Sequence, residues 1–244
     1  VDAEGQQVPY QITSDEKVIF PVTVQANGSA VYTIKVGIPQ ECPVKACGRY
    51  YPERVDDVAW ENDLTAFRAY GPALQETGER AFGYDIWTKY NTTEPVVEAR
   101  YEGELNPDMK AKIAELGKTD PKAAQELYRS VSYHVDHGNG LDCYKVGPTL
   151  GGGTTALMAG DTIVYPYCYA TQEILDNGPL RFTVKLVYNP LVVKGDSTII
   201  ETRIITLDAG SYCNKTVVSY TNLKETMPLA VGIVLHEPDG AIVA

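Results

Sequence analysis

The segment Arg181-Phe-Thr-Val-Lys-Leu-Val-Tyr188 decides the fold class, because large apolar side chains occupy every second position from Phe182 to Tyr188. Alternate side chains of a β-strand point to opposite faces of the sheet, so this period predicts a strand with one buried face. Similar segments follow at residues 198–207, 215–222 and 229–236, with Asn-Pro, Gly-Asp, Asp-Ala-Gly and Met-Pro turn sequences between them. The last third of the chain therefore predicts an antiparallel meander or sandwich.

The rest of the chain extends this prediction, with one helical exception. Further strands are predicted at residues 17–24, 30–38, 64–70, 84–90, 131–135 and 162–169. The exception begins at Asn106 and Pro107, which open a helix that closes at Gly117, while Asp120 and Pro121 open a second helix to about Arg129. We expect a mostly β single domain over residues 1–244, a large antiparallel β-sandwich with a short helical insertion at about 106–129.

Composition and charge exclude several classes of protein. The chain has 244 residues, of which 44% are hydrophobic, and this suffices for a sizeable core without disulfides or a structural metal. The formal charge is -11, so most of the surface would repel a nucleic-acid backbone. The longest apolar runs, such as residues 229–235, are too short to cross a membrane. We therefore expect neither a nucleic-acid partner nor a membrane span.

Processing and redox state stay open in the sequence. The chain begins at Val1 and not at Met, which is compatible with trimming or truncation at either end. The 5 cysteines are an odd number, so at least one is free or pairs with another molecule. Cys42 and Cys47 have the separation of a small-loop disulfide, and the sequence does not decide whether they form one.

Two of the 3 histidines lie in the segment Ser132-Tyr-His-Val-Asp-His-Gly-Asn-Gly-Leu-Asp-Cys-Tyr144. If residues 131–136 form a strand, His134 and Asp136 share one face and His137 stands at the turn, a usual place for a proton-transfer group. The alternative is a His-Asp hydrogen bond that only fixes the turn. Metal binding also competes, but H-x-D-H is not a zinc spacing and the acids lack the order of a calcium loop. We expect no cofactor, with calcium or zinc as the alternative.

A second constellation runs from Tyr51-Pro-Glu-Arg54 through Trp60-Glu-Asn-Asp to Arg68-Ala-Tyr70. A strand from Asn62 would place Arg68 and Tyr70 on one face, where an arginine could grip a carboxylate in bidentate fashion. The alternative is that Arg54 and Arg68 pair with acids of the same segment, and Trp60 is either a sugar platform or a core residue. The candidate substrate-binding residues are Arg54, Trp60, Glu61, Asn62, Tyr70 and Asp136.

These two motifs resemble a family of exported bacterial proteins that is described as a domain of unknown function and found beside polysaccharide-degradation enzymes. The resemblance covers residues 7–222. It implies a galactose-mutarotase-like β-sandwich and a periplasmic or cell-surface location. For some members it also implies an oligosaccharide dehydratase activity that eliminates water from a terminal uronic acid during ulvan breakdown.

Such an elimination needs a group that neutralises the substrate carboxylate, a base and an acid. Arg68 or Arg54 would hold the carboxylate, and His134 or His137 would take the proton. The departing oxygen would be protonated by Tyr133, Tyr144 or Lys145. We expect these groups to meet in a cleft between residues 62–70 and 133–145. A lyase acting on uronic-acid-containing oligosaccharides needs the same groups, and a non-catalytic carbohydrate-binding or glycan-uptake accessory role is the alternative function.

Overall fold

The computed structural model describes residues 1–236 and contains strands and helices in the following chain order. The strands are β1 (Gln11–Ile12), β2 (Val18–Ile19), β3 (Ala46–Tyr51), β4 (Asp57–Asn62), β5 (Thr65–Ala69), β6 (Asp85–Thr88), β7 (Gly152–Ala159), β8 (Thr162–Val164), β9 (Tyr169–Asn177), β10 (Arg181–Tyr188), β11 (Leu191–Val193), β12 (Asp196–Asp208), β13 (Lys215–Thr221) and β14 (Leu229–Ile233). The α-helices are α1 (Pro72–Glu76), α2 (Val97–Leu105), α3 (Pro107–Thr119) and α4 (Pro121–Arg129).

Every pairing between these strands is antiparallel, which confirms the predicted fold class. One sheet has the order β3-β4-β5-β6. A second has the order β11-β12-β10-β9, and β13 also pairs with β12. Smaller sheets comprise β14-β7-β8 and β1-β2.

The four-stranded and five-stranded sheets pack face to face around one hydrophobic core. Trp60 and Phe67 of the first sheet lie in the same buried cluster as Phe182 and Ile205 of the second. The rings of Trp60 and Phe182 are stacked with centroids 6.3 Å apart. The period of two in β10 is confirmed, because its even-numbered side chains from Phe182 to Tyr188 are all buried.

The predicted helical insertion is present, and its caps form as the sequence indicates. The side chain of Asn106 accepts a hydrogen bond from the Met109 amide, and that of Asp120 accepts one from the Ala123 amide, both at 3.0 Å. The prediction that helices occur only within residues 106–129 was wrong, because α1 and α2 precede this segment. Within residues 1–236, no helix combines the length and apolarity that a bilayer crossing requires.

Two predicted strands are absent from the described residues, and two others, at residues 17–24 and 162–169, are much shorter than predicted. Residues 131–135 form turns after α4, where the Ser132 amide donates to the Tyr128 carbonyl at 3.0 Å. Residues 30–38 carry the alternating pattern but pair with no strand among residues 1–236, so Ile34 and Val36 are exposed. Of residues 17–24, only Val18–Ile19 joins a ladder. A period of two thus predicts an extended chain but does not supply a neighbouring strand.

The cysteines at positions 42 and 47 are both free thiols in this structure, so the disulfide that their spacing allows is not formed. Cys47 lies in β3, and burial raises the pKa of its thiol to about 11. A thiol with so high a pKa is a weak nucleophile near neutral pH.

Candidate active site

Arg68 is the centre of a buried charge cluster formed with Asp57, Asp85 and Asp142. The β5-β6 ladder places Arg68 opposite Asp85, and Nη2 of Arg68 lies 2.5 Å from Asp85 Oδ2. The same nitrogen lies 2.8 Å from Asp142 Oδ2, and Nη1 lies 3.7 Å from Asp57 Oδ2. The Arg68 residue is only 3% exposed. One guanidinium is therefore shared by three carboxyl groups inside the protein, an arrangement we call the Arg68 cluster.

Aromatic side chains enclose the Arg68 cluster and bind its acids. The guanidinium carbon of Arg68 lies 4.9 Å from the Tyr70 ring centroid and 5.2 Å from that of Trp87. The Trp87 indole donates to Asp85 at 3.0 Å, and the Tyr101 hydroxyl donates to Asp57 at 3.2 Å. These rings exclude water, which strengthens the electrostatic interactions among the charged groups.

Burial shifts the titration of two acids in the cluster towards neutral pH. Loss of hydration raises the pKa of Asp57 to about 7, although Arg68 and Arg54 oppose the shift. Loss of hydration likewise raises the pKa of Asp142 to about 6, again against the attraction of Arg68. Strongly shifted carboxyl groups at one place are typical of catalytic sites, although structural ion-pair networks also produce them.

His134 lies at the solvent side of this cluster, with half of its side chain exposed. Its Nδ1 atom lies 3.1 Å from the Asp142 carbonyl oxygen and 3.5 Å from Asp142 Oδ2. The imidazole packs against the ring of Tyr133, with centroids 4.5 Å apart. An exposed imidazole is thus hydrogen-bonded to the Asp142 carbonyl and lies beside the buried Asp142 carboxylate, an arrangement that suits proton transfer.

Arg54 contacts the hydroxyl of Tyr133. It belongs to a 3₁₀ turn at Pro52–Arg54, and its Nε donates to the Tyr133 hydroxyl at 3.0 Å. Its Nη1 lies 4.0 Å from Asp57 Oδ2, and 22% of the side chain is exposed. Arg54 and His134 therefore both reach solvent and both contact Tyr133, so a cation and an imidazole lie one tyrosine side chain apart.

Residues 136–140, which follow His134 in the same motif, form a loop held by hydrogen bonds. Asp136 accepts hydrogen bonds from the amides of Gly138 and Gly140 and from the Tyr90 hydroxyl. Gly140 has φ of +97°, and a Cβ there would collide with the Thr88 carbonyl oxygen, so only glycine fits. Asp136 therefore holds the loop through these groups, whereas the histidine rings bind the carbonyls of Asp142 and Ser132, so the expected His-Asp hydrogen bond does not involve Asp136.

The remaining catalytic candidates lie in different surroundings. His137 has Nε2 3.0 Å from the Ser132 carbonyl oxygen and is exposed. The Tyr144 hydroxyl donates to the Val234 carbonyl at 2.8 Å, so its proton is already engaged. Lys145 is exposed.

Three candidate substrate-binding residues have structural roles in the protein. Trp60 is fully buried in the core and cannot stack on a sugar there. Buried Glu61 accepts hydrogen bonds from the backbone amides at positions 96 and 97, at the start of α2, and lies 2.7 Å from Lys89 Nζ. The Asn62 side chain binds the turn between β4 and β5, where it accepts from the amides at 64 and 65. Asn62 and residue 64 thus lie outside β5 and do not extend the predicted face.

The expected role of Arg68 as a direct carboxylate grip does not fit its burial and its three carboxyl partners. Instead, the structure contains the alternative, in which Arg68 pairs with nearby acids such as Asp57. Asp85 was missed by sequence reasoning. Its signal was an acid between aromatic and aliphatic residues in a predicted strand, Tyr84-Asp-Ile-Trp87.

Neither the cavity near Gln11 and Gln40 nor a metal-binding group among residues 1–236 adds further residues to this site. A cavity of about 750 Å³ lies elsewhere, between the chain around Gln11, the chain around Gln40 and the turn after β9. His134, Arg54 and the Arg68 cluster are not part of its lining. Among residues 1–236, no group of three or more His, Cys, Asp and Glu side chains has an arrangement suited to a metal ion.

Comparison with known families gives a match along nearly the whole chain. The model of the family described as "Domain of unknown function (DUF4861)" matches residues 1–243. The chain belongs to this family. The DUF4861 chain is also similar to "Uncharacterized protein P7" of Formosa agariphila, at 29% identity over 213 residues. That alignment covers 84% of the chain and 47% of the relative, so the chain spans about half the length of the curated relative it matches. No solved structure matches the chain.

Proposed function

We propose that this DUF4861 protein catalyses a carbon-oxygen elimination on uronic-acid-containing oligosaccharides, removing either water or a sugar. The observation that carries the proposal is the placement of Arg54 at the hydroxyl of Tyr133 and of His134 against its ring, with His134 hydrogen-bonded to the carbonyl of buried Asp142. A uronate needs a cation for its carboxylate and a base for the adjacent proton, and this surface offers both. The resemblance of the motifs to a family with dehydratase members supports the same reaction class.

The proposed reaction removes one proton from the substrate and returns one proton to the leaving oxygen. His134 removes the proton from C5, beside the carboxylate, and the electron pair of that bond forms the C4=C5 double bond. The C4–O bond breaks, and the departing oxygen takes a proton from solvent, because Tyr133 is only 2% exposed and its hydroxyl is bound by Arg54. Burial raises the pKa of the Tyr133 hydroxyl, so this side chain stays neutral between Arg54 and His134. The products are an unsaturated uronate and water, or an unsaturated uronate and a sugar in the lyase variant.

Arg54 is the proposed carboxylate anchor because Arg68 is buried and already bound by acids. The guanidinium of Arg54 is partly exposed, and its nearest anion, Asp57, lies 4.0 Å away and titrates with a pKa of about 7. A carboxylate that approached Arg54 would form a charge-assisted hydrogen bond. The proposed setting is that of an exported periplasmic or cell-surface protein of polysaccharide degradation.

The test is incubation of the chain with uronic-acid oligosaccharides while the absorbance of the unsaturated uronate is followed. Mass spectrometry of the product separates loss of water from release of a sugar, and so separates a dehydratase from a lyase. We expect product formation by the wild type and loss of it in His134→Gln. If the protein bound oligosaccharides but formed no product from any of them, the proposed enzymatic activity would be overturned and a carbohydrate-binding role would be favoured.

A further inference from the structure

We propose that Asp142 is a positioning residue that holds neutral His134 with its proton on Nδ1, so that Nε2 is the atom that accepts the substrate proton. This inference rests on the proposed function and assigns an atom and a second residue to its base. It also separates His134 from His137, which sequence reasoning left as equal candidates.

The tautomer follows from the chemistry of the atoms that face Nδ1. The Asp142 carbonyl oxygen at 3.1 Å and the Asp142 carboxyl Oδ2 at 3.5 Å are both acceptors when the acid is ionised. A hydrogen bond between Nδ1 and the carbonyl forms only if Nδ1 carries the proton. The lone pair of the neutral ring is then on Nε2, and the exposed half of the side chain leaves a substrate free to reach it.

Asp142 cannot readily turn away from His134, because it is fixed at both its backbone and its side chain. Its amide donates to the Tyr133 carbonyl at 2.9 Å, and Oδ2 accepts from Arg68 at 2.8 Å. Arg68 is itself held by Asp85 and Asp57. The orientation of the exposed imidazole is thus linked to the buried Arg68 cluster through Asp142.

Charge in the cluster also favours the imidazolium that forms during proton transfer. The charged groups that act on Asp142 are the cations Arg68 and Arg100, the acid Asp85, and His134 when it is protonated. Asp142 Oδ2 lies 3.5 Å from Nδ1 of His134, so an ionised Asp142 stabilises the imidazolium that proton abstraction forms.

His137 is arranged in the opposite way and is the matched control. Its Nε2 lies 3.0 Å from the Ser132 carbonyl, so the neutral ring carries its proton on Nε2. Among the ion pairs of residues 1–236 there is none that includes His137. An imidazolium at His137 would therefore have only a carbonyl beside it, with no carboxylate to balance its charge.

The direct test is nitrogen NMR of the histidine-labelled wild-type protein at a pH where the rings are neutral. We expect the Nδ1–H tautomer for His134 and the Nε2–H tautomer for His137. The second measurement is turnover by Asp142→Asn. We expect kcat to fall by at least ~10-fold with little change in KM, because Asp142 orients the base and stabilises its protonated form but does not touch the substrate.

The outcomes separate this inference from the proposed function. An Nε2–H tautomer at His134 would overturn the inference and leave the proposed function standing on Arg54. A folded Asp142→Asn with unchanged kcat, on a substrate that the wild type converts, would overturn the positioning role alone. Failure of the wild type to convert any uronic-acid oligosaccharide, with the tautomers as expected, would overturn the proposed function and with it the catalytic meaning of the tautomer.

Discussion

Arg68 and His134 contact the same oxygen of Asp142: Nη2 of Arg68 lies 2.8 Å from Oδ2, and Nδ1 of His134 lies 3.5 Å from it. Arg68 is buried in β5, whereas His134 is half exposed in the turns after α4. One carboxylate therefore links the interior of the sandwich to a surface imidazole. A change at Asp142 would therefore alter both the buried cluster and the surroundings of the surface imidazole.

Arg68→Met is expected to destabilise the fold strongly. It leaves Asp57, Asp85 and Asp142 buried without their shared cation, and removal of one partner from a buried ion pair costs roughly 3–5 kcal/mol. The free energy of unfolding in urea measures the loss. Arg49→Met is the control, because Arg49 forms only surface pairs and its loss should cost no more than about 1 kcal/mol. Equal small losses in both variants would show that the cluster is not a buried network.

The stability of the protein is expected to fall as the pH rises from about 4 to about 7. Burial raises the pKa of Asp57 from 3.8 to about 7, so in this range the folded state keeps a proton that the unfolded state has released. Each such proton lowers the free energy of unfolding by ~1.4 kcal/mol per pH unit. Urea denaturation across this range should show a steeper fall for the wild type than for Asp57→Asn. Parallel pH profiles would contradict the buried position of Asp57.

Turnover is expected to fall as the pH drops below about 6. Burial raises the pKa of Asp142 to about 6, and once protonated this acid no longer balances an imidazolium at His134. The pH profile of kcat measures this acidic limb. In Asp142→Asn the part of the acidic limb that belongs to Asp142 should disappear, and the remaining part reflects the need for an unprotonated base. An unchanged limb in that variant would assign the titration to another group.

Glu61→Gln is expected to lower stability while leaving the KM of the folded enzyme unchanged. Glu61 is buried with Lys89 and accepts the first amides of α2, so neutralising it leaves a buried ammonium unpaired at a cost of roughly 3–5 kcal/mol. Thermal unfolding and KM are measured on the same preparation. Glu98→Gln is the exposed control. A raised KM with normal stability would restore the substrate-binding role expected for Glu61.

Arg54→Gln is expected to raise KM for a uronate substrate by at least ~10-fold, the worth of one charge-assisted hydrogen bond. The methyl ester of the same oligosaccharide lacks the negative charge and is the control, so its KM should change little. Initial rates over a range of substrate concentrations give both values. Equal effects on acid and ester would show that Arg54 acts on the fold of the 3₁₀ turn and not on the carboxylate.

The sheet strands and helix caps could be predicted because they depend on residues close in sequence. β10 follows from a period of two within eight residues, and α3 from the cap at Asn106. The α2 helix was not predicted, because the residue at its N-terminus, Glu61, lies 35 positions away from Val96. Local patterns carry no information on such pairings.

The candidate site was predicted in its residue types but not in their roles. The arginine motif and the histidine motif do meet, since Arg68 donates a hydrogen bond to Asp142 although the two residues lie 74 positions apart. Sequence could not tell which arginine would be buried, because burial of Arg68 depends on Asp85 and Asp142 from other segments. The exposed Arg54 and His134 became distinguishable from Arg68 and His137 only through their contacts.

The most direct test of the account compares His134→Gln with His137→Gln on one uronic-acid oligosaccharide that the wild type converts. Both histidines are exposed and accessible to solvent, so neither change should impair folding. Initial rates of unsaturated-uronate formation should fall roughly 100- to 10,000-fold in His134→Gln, as for loss of a general base, and stay near the wild-type rate in His137→Gln. A near-normal rate in His134→Gln, with or without a loss in His137→Gln, would contradict the account.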